Sequence, residues 1–108
     1  MKIKTILIIL AGLLIGCSDF NTEPVITSLT ADNTTVSLGG TVLLTCTAED
    51  EDDDSLTYLW ECTNGSLAPN GNTATWTAPG SPGTYSISCA VTDGNDGSTM
   101  DIIDITVL

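Results

Sequence analysis

Cys46, Trp60 and Cys89 each sit in a run that alternates apolar and polar residues, and this alternation constrains the fold more than any other feature. Successive side chains of a strand point to opposite faces, so residues two apart share a face. Read as strands, residues 41–48, 55–62 and 84–91 each gain one apolar face. The first carries Val42, Leu44, Cys46 and Ala48, the second Leu56, Tyr58, Trp60 and Cys62, the third Tyr85, Ile87, Cys89 and Val91. Two inward cysteines with a large indole between them in the chain predict two sheets packed face to face around that trio.

The remaining segments agree with this reading. Residues 25–31 and 34–38 look like a first strand broken at Asp32-Asn33, and Gly39-Gly40 turns the chain. Residues 49–54 form an acidic loop, and 63–69 a short edge segment. Asn70-Gly71 is a tight-turn signal leading into a strand at 73–78 that carries Trp76. Pro79, Gly80, Ser81, Pro82 and Gly83 make a loop of turn formers, 93–97 is a turn, and 100–108 closes the sheet. About seven short strands with no amphipathic helical pattern predict an all-β, antiparallel sandwich.

The N-terminus reads as an address. Lys2 and Lys4 precede an apolar run of eleven residues, 5–15. A membrane-spanning helix needs about 20 residues, whereas this length suits the core of a signal peptide. The run ends in Leu14-Ile15-Gly16-Cys17, which resembles the lipobox of bacterial lipoproteins. That resemblance implies a signal peptide over residues 1–16, lipidation at Cys17 and a tether over 17–23 that reaches roughly 20 Å at full extension. The domain proper is then 24–108. Ser18 stands where an aspartate would resemble the inner-membrane retention signal, so the expected location is the cell envelope, in the outer rather than the inner membrane.

Charge removes whole classes of function. The chain carries a net charge of −12, and its only basic residues are Lys2 and Lys4. From Cys17 onward there are fourteen carboxylates and no lysine, arginine or histidine. Such a surface has nothing with which to displace counterions from phosphates, which excludes nucleic acid as a partner. Nucleophilic catalysis lacks a histidine base. An acid hydrolase needs two carboxylates at a defined separation across a cleft, and here the acids crowd one loop.

That loop is the candidate site. Six adjacent carboxylates at 49–54 repel one another and gain from a hard cation with oxygen ligands, calcium above all. Asp50, Asp52 and Asp54 occupy alternate positions, and the sandwich topology brings the 93–97 turn, with Asp93 and Asp96, to the same end. The pattern is not an EF-hand, because the glycine and the distal glutamate are missing. The competing reading is a solvated acidic turn that keeps the domain soluble. The first strand begins at this end as well, so the acidic rim is expected to face the membrane.

Residues 50–60 (DEDDDSLTYLW), 75–79 (TWTAP) and 83–97 (GTYSISCAVTDGNDG) together resemble the PKD and related bacterial immunoglobulin-like domains. The Gly-Asp-Gly turn of the PKD signature is replaced here by Glu61-Cys62-Thr63-Asn64-Gly65 after Trp60, which points to the broader PKD-like group. The resemblance implies an Ig-like sandwich used for spacing, adhesion or ligand contact without catalysis, its partner an envelope protein or a glycan. It favours a Cys46–Cys89 bridge between the sheets. A Cys62–Cys89 bridge stays open, since loop entropy gives about 4 kcal/mol for the first and only a few tenths less for the second. A carbohydrate-binding accessory is the alternative function. It needs an exposed aromatic, for which Trp76 and Tyr58 are the candidates, although Trp60 and Trp76 both read first as core. Tyr85 is expected to pack inward with its hydroxyl bonded to nearby backbone.

Overall fold

The computed structural model describes residues 21–108. The expected signal peptide, Cys17 and the start of the tether lie outside the described residues. Eight strands follow in order: β1 (Val25–Ala31), β2 (Thr35–Val36), β3 (Thr41–Glu49), β4 (Thr57–Cys62), β5 (Ser66–Asn70), β6 (Thr73–Thr77), β7 (Gly83–Thr92) and β8 (Ser98–Val107). They form two four-stranded sheets, ordered β1-β3-β6-β5 and β2-β8-β7-β4. All pairings are antiparallel except β2 with β8. The expected all-β Ig-like sandwich is present, and no helix among the described residues is long and apolar enough to cross a membrane.

The extra strand comes from the break at Asp32-Asn33. Asp32 is held against β3, its N–H donating to Leu43 O at 3.0 Å while its Oδ1 accepts from Leu43 N at 3.0 Å. Asn33 Oδ1 then accepts from Thr35 N, a local turn that competes with continued strand. Beyond it the chain leaves β3 and joins the other sheet. Thr34 O accepts from Thr106 N and Val36 O from Leu108 N, at 2.8 and 2.9 Å. One interrupted apolar run therefore serves both sheets.

The inward faces are those that the alternation predicts. Val42, Leu44 and Cys46 of β3 meet Ile87, Cys89 and Val91 of β7, and all six are fully buried. Burying a side chain of this size contributes about 1.5–3 kcal/mol. Both indoles are core residues with satisfied N–H groups: Trp60 Nε1 donates to Gly71 O at 3.0 Å and Trp76 Nε1 to Asn64 O at 2.8 Å. Tyr85 packs its ring 6.0 Å from that of Trp76, and its hydroxyl donates to Ser81 O at 2.7 Å. The register then fixes what shares an end. Val25 pairs with Glu49, Thr57 with Thr92, and Thr92 with Ser98. The chain's entry, the acidic loop and the turn between β7 and β8 thus lie together.

Candidate functional site

The acidic loop folds through its own carboxylates. Asp50 Oδ1 accepts from Asp52 N at 2.7 Å, and Asp50 O accepts from Asp53 N at 3.0 Å. Asp53 takes a left-handed φ of 58°, which an aspartate tolerates better than most residues. This tight winding turns Asp50 and Asp54 toward the neighbouring turn. There Asp93, almost wholly buried, organises the backbone after β7: its Oδ1 accepts from Asn95 N at 2.8 Å and from Gly97 N at 2.9 Å. Oxygens of Asp50, Asp54 and Asp93 consequently lie within 4.8 Å of one another. Two oxygens on one calcium, each bonded at about 2.3–2.6 Å, stand at most roughly 5 Å apart. The spacing fits.

Two asparagines complete the group. Asn95 Nδ2 donates to Asp54 Oδ2 at 3.1 Å. Asn21, at the chain's entry, donates from Nδ2 to Asp93 Oδ2 at 2.7 Å and to Asn95 O at 2.9 Å. The Asn21 amide, followed by the two backbone N–H groups, holds the Asp93 carboxyl below the usual carboxylate range. Gly97 permits this approach, because a Cβ there would land on the Asp93 carboxylate and 2.9 Å from Asn21 Nδ2. Asp50 Oδ2 differs from the other oxygens. It is buried and has no hydrogen-bond partner, an arrangement that is costly for a carboxylate without a donor or a cation.

The sequence expectation for the ligand set was wider than the geometry. Asp52 turns away, its Oδ2 accepting from Thr22 N at 2.7 Å. Asp96 is exposed and stands outside the group. The alternation that suggested Asp50, Asp52 and Asp54 together assumed an extended loop, whereas the turn at Asp53 leaves Asp50 and Asp54 on one side. Asn21, Asn95 and Gly97 escape a sequence reading that looks only for carboxylates, although Asn95 and Gly97 do sit in a recognisable turn.

Across the core, Cys46 and Cys89, the pair expected to bridge the sheets, lie next to each other as two buried free thiols. Burial pushes both above the usual thiol range, Cys89 to about 12, with the adjacent Cys46 adding to the effect there. Trp60 is the residue opposite Cys89 on β4, whereas Cys62 stands opposite Ile87 with its Sγ 3.8 Å from Gly65 O. Trp76 is fully buried, and Tyr58 and Tyr85 are half-buried, so no large aromatic platform is offered among the described residues.

Comparison with known proteins gives one family and several solved structures of like fold. The sequence model described as "K319L-like, PKD domain" matches residues 30–107. No curated protein matches the chain. Among solved structures, the PKD domain of an M14-like peptidase from a Thermoplasmatales archaeon is 22% identical with a TM-score of 0.65, the match covering 82% of this chain and 98% of that one. The Yersinia pseudotuberculosis adhesin InvE is 24% identical at a TM-score of 0.57, over 75% of this chain and 26% of the adhesin. The N-terminal Ig1-2 module of the Drosophila receptor protein tyrosine phosphatase DLAR is 13% identical at 0.56, over 81% and 50%. At these identities the likeness is one of fold.

Proposed function

The chain belongs to the PKD-domain family, and from that premise we propose that it is a non-enzymatic, lipid-anchored binding or structural module of the cell envelope that takes up calcium at its acidic end. Domains of this family and of the wider Ig-like group are generally non-catalytic. The observation that carries the calcium reading is the convergence of Asp50, Asp54 and Asp93, one of which, Asp50, also holds a buried and unpartnered oxygen, Oδ2. A divalent cation there would relieve the repulsion of three carboxylates in a domain that offers no basic side chain between residues 5 and 108. Asn21 and Asn95 would adjust around the ion by turning their amide oxygens toward it.

The anchor gives the site its setting. Lipidation of Cys17, four residues before Asn21, would hold the acidic end close to the membrane, and Ser18 favours the outer membrane where the organism has one. Calcium would then bridge the acidic rim and anionic headgroups that otherwise repel it. Two measurements test the two halves separately. Palmitate labelling of growing cells should be lost in Cys17→Ser, and persistent labelling would refute the anchor. Calorimetric titration should give a calcium affinity of about 10⁻⁴–10⁻³ M, as in extracellular modules, abolished in Asp50→Asn/Asp54→Asn. At tenfold excess over Kd the ion should stabilise by about 1.4 kcal/mol, raising the melting temperature by roughly 6–11 °C. No binding at millimolar calcium would refute the site.

A further inference from the structure

The outer face of the β2-β8-β7-β4 sheet has a composition that the fold does not require. The register sets Leu59 of β4, Ala90 of β7 and Met100 of β8 in one cross-strand row, and Glu61, Ser88 and Ile102 in the next. Leu59, Met100 and Ile102 are 58%, 58% and 55% exposed, although a solvated strand face usually carries polar residues. Thr57, Thr92 and Ser98 border this band on one side and Ser86 and Asp104 on the other. An apolar centre with a polar rim is the anatomy of a protein interface. The exposed area, on the order of a few hundred Å², matches the largest patch on a typical monomer, which is often functional.

Beside Ile102 the face is hollowed by a concavity of about 190 Å³, walled by Glu61, Thr63, Ser86 and Ser88. Ser86 Oγ donates to Asp104 Oδ1 at 2.7 Å, which places a second carboxylate next to that wall. Every charge on this face is negative, and between residues 5 and 108 there is no cation to answer it. A second copy would bring like charges together, an anionic membrane would be repelled, and a glycan would find no aromatic ring on these rows.

We propose that this face docks a basic partner protein, which seats aliphatic side chains on Leu59, Met100 and Ile102 and a lysine or arginine in the concavity beside Glu61. The long side chain of such a residue lays its apolar stem along Ile102 while its charged head reaches the carboxylates. The proposal rests on the binding-module reading and is independent of calcium.

The test uses the full chain in phosphatidylcholine nanodiscs, with empty nanodiscs as reference, in chelator and again in calcium. The probe is a heptapeptide of alternating leucine and lysine, with a leucine–glutamate heptapeptide as control. Surface plasmon resonance should show binding of the lysine peptide alone, equal in both buffers, and at least about tenfold weaker in Leu59→Ser/Ile102→Ser. Glu61→Gln should weaken it by several fold, and Asp50→Asn/Asp54→Asn should leave it unchanged. An unaltered tryptophan near-ultraviolet signal establishes that the variants fold. Absence of binding, equal binding of the glutamate peptide, or losses confined to the Asp50/Asp54 variant would overturn the proposal. Dimerisation abolished by Leu59→Ser/Ile102→Ser would overturn it too, by naming a second copy as the occupant. Absence of calcium binding by the unsubstituted chain, with its peptide binding intact, would refute only the calcium site.

Discussion

Gly65 turns the chain between β4 and β5 at a φ of 87°, directly beneath the Trp76 indole. A Cβ at this position would stand 2.6 Å from Trp76 Nε1 and press on Thr77 O as well. Gly65→Ala therefore combines left-handed strain of about 1–2 kcal/mol with damage to the Trp76–Asn64 hydrogen bond, worth about 1 kcal/mol. We expect a loss of roughly 2–3 kcal/mol by denaturant unfolding, with the slope of the transition unchanged. The same crowding operates at Gly97, where the neighbour is the Asp93 carboxylate rather than an indole. Gly97→Ala should accordingly weaken calcium binding more than it weakens the fold, which paired calorimetric and thermal titrations would read.

Between elements, the contact with most leverage is the one joining β3 to β7 through Cys46 and Cys89. Oxidising this pair should raise stability by about 4 kcal/mol on the chain-entropy model, read as a shift of the denaturant midpoint on adding reductant. The pH dependence of the two redox forms should differ. Burial raises both thiols, so the reduced protein owes them stability that is complete below their ordinary value of 9.0 and is lost as pH rises toward about 12, where Cys89 titrates. An alkaline limb should therefore accompany the reduced form and shrink in the oxidised one. What remains belongs to Tyr58, which burial raises from 10.0. Identical alkaline limbs in both forms would show that the pair does not bridge.

At the scale of the molecule, residues 21–108 carry thirteen carboxylates and no basic side chain, and this charge acts as self-repulsion. Raising salt from 0.1 M to 1 M shortens the screening length from about 10 Å to about 3 Å. The melting temperature should climb by at least about 4 °C, corresponding to about 1 kcal/mol in a domain of this size. Calcium should produce its own rise at millimolar levels, where sodium does nothing. The alternating runs around Cys46, Trp60 and Cys89 determined the sandwich by themselves, because side-chain period and burial are local properties that pleating converts directly into faces. The inward set of β3, the burial of both tryptophans and the Tyr85 hydroxyl bond were legible for that reason. The sequence also carried the family likeness and the gathering of acidic loops at one end. Only the tertiary structure decided which acids meet: the turn at Asp53 directs Asp50 and Asp54 toward Asp93, Thr22 claims Asp52, and Asn21 arrives from seventy-two residues away. It also decided that the segment around Asp32 serves two sheets. Long-range partners are chosen by register and by the packing of one sheet on the other, and neither is written in any single stretch of the chain.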